Sequence, residues 1–73
     1  MGFVTTAAEI LAFLRSKGFT IESGQGKHGT KAVRGEQKIS IPMHPGDMAI
    51  GTADRIIKKA GYTINDVMEW RQQ

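Results

Sequence analysis

The stretch Phe19–Ile41 reads FTIESGQGKHGTKAVRGEQKISI, and its punctuation decides the fold. At one end Phe19-Thr20-Ile21-Glu22 alternates apolar and polar residues, and at the other Lys38-Ile39-Ser40-Ile41 does the same. That period of two is the mark of a half-buried strand. Ser23-Gly24-Gln25-Gly26 and Arg34-Gly35-Glu36-Gln37 carry turn chemistry. They leave about His28–Val33 as a middle strand, weak in propensity but permitted by Thr30, Ala32 and Val33. Strands joined by short turns pair antiparallel. Pro42 ends the third strand or sets it at an edge.

Helical patterns flank this sheet. Before it, Thr6 and Glu9 fit a capping box, S/T-x-x-E. Ala7, Ile10, Leu11 and Leu14 then recur on one helical face, which Phe13 widens or flanks. Arg15 and Lys17 suit the negative end of a helix dipole, and Gly18 is placed to stop the helix, so the pattern predicts a helix over Thr6–Lys17. After the sheet, Met43–Ile50 reads as a loop. A second helix is expected over about Thr52–Lys59, with Ile56, Ile57 and Ala60 as its apolar face. Gly51 or Thr52 is its N-cap candidate, Asp54 lies in its first turn, Lys58 and Lys59 lie in its last, and Gly61 is its stop. Thr63, with Asp66 three residues on, predicts a short third helix over Ile64–Arg71. Val67 and Trp70 would reach the core or a partner from it. The order implies an α+β domain, α-β-β-β-α plus a short C-terminal helix, with the helices on one face of a three-stranded antiparallel sheet.

Composition fits that architecture. A chain of 73 residues has room for one domain. Hydrophobic residues make up 40% and charged residues 23%, which places the chain among globular proteins rather than disordered ones. The absence of cysteine excludes disulfides, thiol catalysis and Cys-based zinc sites. No apolar run approaches the roughly 20 residues of a membrane-spanning helix, and Met1–Leu14 does not read as a signal peptide. A cytoplasmic location without membrane association is therefore expected. The net charge of +3 is uneven: residues 27–59 hold seven Lys and Arg against three Asp and Glu, a local +4. A basic middle suits a phosphate-bearing or acidic partner.

Gly24-Gln25-Gly26-Lys27-His28-Gly29 carries the strongest chemical pattern. Glycines let the backbone approach a ligand closely. Lys27 sets a phosphate-binding cation beside His28, whose side-chain type titrates near neutrality. The pair suits RNA cleavage: imidazole takes the proton of a ribose 2′-hydroxyl, and a cation steadies the charge on the phosphoryl oxygens. Equally, a glycine-rich hairpin turn with one exposed histidine serves structure alone. The same glycines spell G-x-G-x-x-G, but ahead of a strand rather than opening a helix, so they are no dinucleotide fingerprint. His44-Pro45-Gly46 reads as a turn or as an accessory acid. The spacing of His28 and His44 matches no metal-ligand pattern. Arg55, Lys58 and Lys59 share one helical face, fit either for a nucleic-acid backbone or for dipole matching and solubility.

In their order and spacing, Gly26-Lys27-His28, Ile39-Ser40-Ile41-Pro42, His44-Pro45-Gly46, Gly51-Thr52 and Ile56-Ile57-Lys58-Lys59-Ala60-Gly61 make the chain resemble the HicA toxins. These are the YcfA-like toxins of HicA–HicB toxin–antitoxin modules, and the likeness runs from about Thr6 to Tyr62. It implies a fold similar to double-stranded RNA-binding domains and a ribosome-independent mRNA interferase activity. It also implies that His28 is the catalytic residue, and that a HicB-like antitoxin protein is the partner that covers it. Family members carry Gly-Ser-His where this chain has Gly26-Lys27-His28. On this reading His28 is the general base and no metal or other cofactor is needed. Gly26 and Lys27 would hold phosphate, and Lys31, Arg34 and Lys38 would guide mRNA to the sheet. The alternative is an RNA-binding module of the same fold without catalysis, favoured by the lysine in place of serine.

Overall fold

The computed structural model describes residues 3–22, 29–43 and 46–73. Its elements run β1 (Thr5–Thr6), α1 (Ala7–Ser16), β2 (Thr20–Glu22), β3 (Thr30–Arg34), β4 (Gln37–Ile41), β5 (Asp47–Met48), α2 (Ile50–Lys59) and α3 (Ile64–Arg71). The fold is α+β, with a three-stranded antiparallel sheet in the order β2-β3-β4 and three helices. The register sets Ile21 opposite Ala32, and Ala32 opposite Ile39. These residues share one face of the sheet with Ile41. Ala32, Ile39 and Ile41 are buried there with Ala7, Ile10, Phe13 and Leu14 of α1 and Ala53, Ile56 and Ile57 of α2, while Ile21 packs partly buried against this core. Thr20, Glu22, Lys31, Lys38 and Ser40 point to the other face and are exposed. Helices therefore cover one side of the sheet and leave the other open, the usual arrangement of an antiparallel sheet with one wet face.

Several boundaries differ from the sequence reading. Arg34 and Gln37, the outer positions of the expected turn, are also the last paired rung of the β3–β4 ladder, so each strand reaches one residue further at this end than expected. Only Gly35 and Glu36 form the loop, and Gly35 has φ +60°, as the first position of a tight II′ hairpin turn demands. Phe19 lies just outside β2 and is buried in the core. Phe13 widens the apolar face of α1 and is fully buried, and Leu11 is left at the flank. Burying a side chain of that size stabilises by about 1.5–3 kcal/mol, so the helix rolls toward its larger residue. Phe13 also meets the edges of Tyr62 and Trp70, with ring centroids 5.5 and 5.7 Å away. Trp70 of α3 thus packs on the core.

α2 starts at Ile50, before the expected Thr52. Its N-cap is Ala49, with no side-chain cap, and the Ala53 N–H donates to the Ala49 carbonyl at 3.0 Å. Gly51 and Thr52 are thus helical, and Asp54 lies beyond the first turn. The cause is β5, absent from the sequence reading. Asp47 and Met48 pair antiparallel with Thr6 and Thr5, and this ladder delivers the chain straight into the helix.

The helix stops follow the glycines. At the end of α1, the Gly18 N–H donates to the Arg15 carbonyl and the Phe19 N–H to the Leu14 carbonyl, with Gly18 at φ +94°. α2 ends likewise, with Gly61 donating to Lys58 and Tyr62 to Ile57, and Gly61 at φ +93°. Both are Schellman motifs, which satisfy carbonyls that a helix end leaves open. α3 opens as expected, with a complete capping box between Thr63 and Asp66. No helix among the described residues is long and apolar enough to cross a membrane.

Candidate nucleic-acid interface

The two ends of the sheet differ in character. At one end Thr30 pairs with Ile41, and a Cβ added to Gly29 would sit 3.5 Å from the Ile41 carbonyl oxygen. The chain enters β3 through Gly29 and leaves β4 through Pro42 at this same end. His28 directly precedes Gly29, and His44 directly follows Met43. Gly26, Lys27, His28 and His44 themselves lie outside the described residues.

On the open face, Lys31 stands between Glu22 of β2 and Ser40 of β4. Lys38 stands opposite Val33, whose other neighbour is Thr20. Both lysines are exposed. The ion pairs among the described residues are Lys58–Asp54 and Arg71–Glu9, and neither engages Lys31 or Lys38. The open face also carries Thr20, Glu22, Val33 and Ser40, and although Glu22 is the cross-strand neighbour of Lys31, neither lysine is held in an ion pair among the described residues.

Arg34 is placed differently. The period of two that turns Ala32 inward turns Arg34 inward as well, toward the ends of the helices. Nη1 donates to the Lys17 carbonyl at 3.0 Å and to the Tyr62 hydroxyl at 2.9 Å. Nη2 donates to Gln37 Oε1 at 3.1 Å and to the Ala60 carbonyl at 3.3 Å. The guanidinium also lies over the Phe19 ring, 4.4 Å from its centroid. One side chain thus ties the C-terminal ends of α1 and α2 to the hairpin. Gln37 assists by donating from Nε2 to the Lys59 carbonyl at 3.3 Å. A guanidinium that meets the negative ends of two helices is favoured by both dipoles. With its donors engaged this way, Arg34 organises the surface around it.

The helix cations fall into two groups. Arg55, Lys58 and Lys59 of α2 are exposed, and Lys58 is paired with Asp54 at 3.0 Å. Lys17, read from the sequence only as a dipole-matching residue, holds its ammonium 5.5 Å from the Phe13 ring and 5.6 Å from the Tyr62 ring. Its position at the C-terminal end of α1, where it is the C-cap, is the sign the sequence offers. At the opposite side of the molecule Arg71 forms an ion pair with Glu9, donates to the Val4 carbonyl and covers the Phe3 ring. The Glu9 carboxyl also accepts from the Thr5 hydroxyl. Hydrogen bonding from Arg71 holds the Glu9 carboxyl below the ordinary carboxylate range, and Glu9 raises Arg71 in turn. The sequence pattern had Glu9 reaching back to Thr6. Half of that box forms, with the Thr6 hydroxyl accepting from the Glu9 N–H at 3.2 Å, but the carboxylate turns to Thr5 and Arg71.

Among the described residues no group of three or more His, Asp or Glu side chains is arranged to hold a metal ion. Comparison with protein-family models, with curated proteins and with solved structures finds no match to this chain.

Proposed function

We propose that the chain is a HicA-like toxin, a ribosome-independent mRNA interferase with a fold similar to double-stranded RNA-binding domains. The observation that carries the reading is the one-sided sheet. Its order α1-β2-β3-β4-α2, with helices on one face, is what the resemblance implies. Its open face presents Lys31 and Lys38 on strands that lead toward the end where Gly29 follows His28.

In this reading the neutral His28 imidazole removes the proton of a ribose 2′-hydroxyl. The resulting oxygen attacks the adjacent phosphorus, and the P–O5′ bond breaks. The products are a 2′,3′-cyclic phosphate and, after protonation, a 5′-hydroxyl. Lys27 stabilises the charge that builds on the phosphoryl oxygens, and Gly26 lets the backbone approach them. Lys31 and Lys38 guide the strand across the sheet. Arg34 contributes by fixing the hairpin that carries Lys38. A HicB-like antitoxin would be the protein partner, and the chemistry uses no metal. The second reading, an RNA-binding module without catalysis, is favoured by Lys27 where the family has serine.

The reading is tested by initial rates of cleavage of a long single-stranded RNA in EDTA across pH. Rates that rise through the ordinary histidine range, near pH 6.5, support it. RNA bound but uncut at every pH supports the binding module instead.

A further inference from the structure

Arg34 brings the C-terminal ends of α1 and α2 together at the hairpin end of the sheet, away from the end where Gly29 follows His28. The ends of α1 and α2 and the hairpin beside this junction carry Arg15, Lys17, Arg34, Lys38, Lys58 and Lys59 against Glu36 and the Asp54 that pairs with Lys58, with Lys38 on the open face of the sheet. The pole therefore carries +4, while the rest of the chain sums to −1. Two helix C-termini present roughly half a negative charge each. Dipole matching accounts for about one of the four charges and leaves the remainder unexplained.

We infer that this pole is a docking surface for the RNA phosphate backbone, separate from the cleavage end. The inference deepens the ribonuclease reading and rests on RNA being the ligand. Its composition separates RNA from an acidic protein. Phe13 and Phe19 are buried beneath the pole, and the exposed large apolar residues of the described chain, Val4, Met43, Ile50 and Met68, all lie outside it. The centre of a protein interface is enriched in aromatic residues, of which this pole presents the half-buried Tyr62 beside Arg34 and Lys17. Phosphate contacts need only cations and set position without reading sequence. The four residue steps of β3, at about 3.3 Å each, separate the pole from the Gly29 end by about 13 Å. An RNA that touches both therefore spans several nucleotides. The pole grips the strand at a distance while chemistry proceeds at the other end.

The test is the affinity of the full chain for a short 2′-O-methyl RNA, which lacks the attacking hydroxyl and stays intact, read by fluorescence anisotropy over a range of salt. The variant K17Q/K59Q is expected to bind about 25-fold more weakly at about 0.1 M salt, with a salt slope shallower by about 1.4. K17R/K59R, which keeps both charges, is expected to bind within a few-fold of the parent. An unchanged affinity and slope in K17Q/K59Q would overturn the proposal, as would the absence of binding by the parent chain at about 50 mM salt. Polyglutamate competing as well as RNA would assign the pole to an acidic protein instead. Loss of binding in K17Q/K59Q alone concerns the pole, absence of binding by the parent counts against the ribonuclease reading as well, and cleavage by the parent and not by His28→Ala decides that reading separately.

Discussion

Thr30 pairs with Ile41 across the β3–β4 ladder, and that single rung brings together the two points where the histidine-bearing parts of the chain join the sheet. Gly29, next to His28, and Met43, next to His44, flank one end of the sheet on adjacent antiparallel strands. The basic junction around Arg34 lies at the other end. An RNA laid along the open face would run from one to the other past Lys38 and Lys31.

Arg34 holds the hairpin end together, so its loss should be felt in stability. Arg34→Ala removes hydrogen bonds to the Lys17 and Ala60 carbonyls and to Tyr62, and the stacking on Phe19. Hydrogen bonds from charged groups contribute about 1.5–3 kcal/mol each when buried. Arg34 is half-buried, so a total loss of about 2–3 kcal/mol is expected in urea unfolding. Arg34→Lys should recover less than half, because an ammonium lacks the planar fork. A loss below about 0.5 kcal/mol would contradict the clamp.

The Glu9–Arg71 pair predicts a pH dependence with a definite sign. The folded carboxyl titrates below a glutamate's ordinary 4.5, chiefly through the Arg71 hydrogen bond. Its contribution is therefore complete above the unfolded value and is lost as pH falls through the folded one. Glu9→Gln should destabilise by up to about 1 kcal/mol at neutral pH, since the pair is partly exposed. The difference between variant and parent should shrink below pH 4.5, as shown by unfolding curves at several pH values. A gap that stays constant to pH 3 would exclude the ion pair as its source.

Two glycines near α2 should respond oppositely to the same substitution. Gly51 lies within the first turn, without a positive φ and with open space around a Cβ, so Gly51→Ala should stabilise by about 0.4–1 kcal/mol. Gly61 has φ +93° in the Schellman stop, so Gly61→Ala should destabilise by about 1 kcal/mol or more. Thermal unfolding of the two variants tests the helix boundaries directly. A stabilising Gly61→Ala would place the end of α2 elsewhere.

The features that local chemistry dictates were legible in the sequence. Thr6, Gly18, Gly61 and Thr63 mark helix ends through their own side chains or their lack of one, and each helix end lies where they predict. The alternation in Thr20–Glu22 and Lys38–Ile41 likewise reports the strands. The β1–β5 ladder was not legible, because two residues pairing with two others far along the chain leave no local period. The start of α2 was hidden for the same reason, since Ala49 caps nothing with its side chain. The sequence places Arg34 in a turn, where it would guide RNA. Counting by twos from Ala32 turns it inward, but its acceptors are the backbone ends of two helices, visible only once those helices pack. Lys31 and Lys38 lie on the open face that the alternation assigns them.

The measurement that bears most directly on the central claim is cleavage itself. The purified chain and its His28→Ala variant, both shown to be folded by circular dichroism, are incubated with a long single-stranded RNA in EDTA and the products run on a gel. Fragments ending in 2′,3′-cyclic phosphate are expected from the parent chain, and intact RNA from the variant. Equal cleavage by His28→Ala, or intact RNA with both, would contradict the claim.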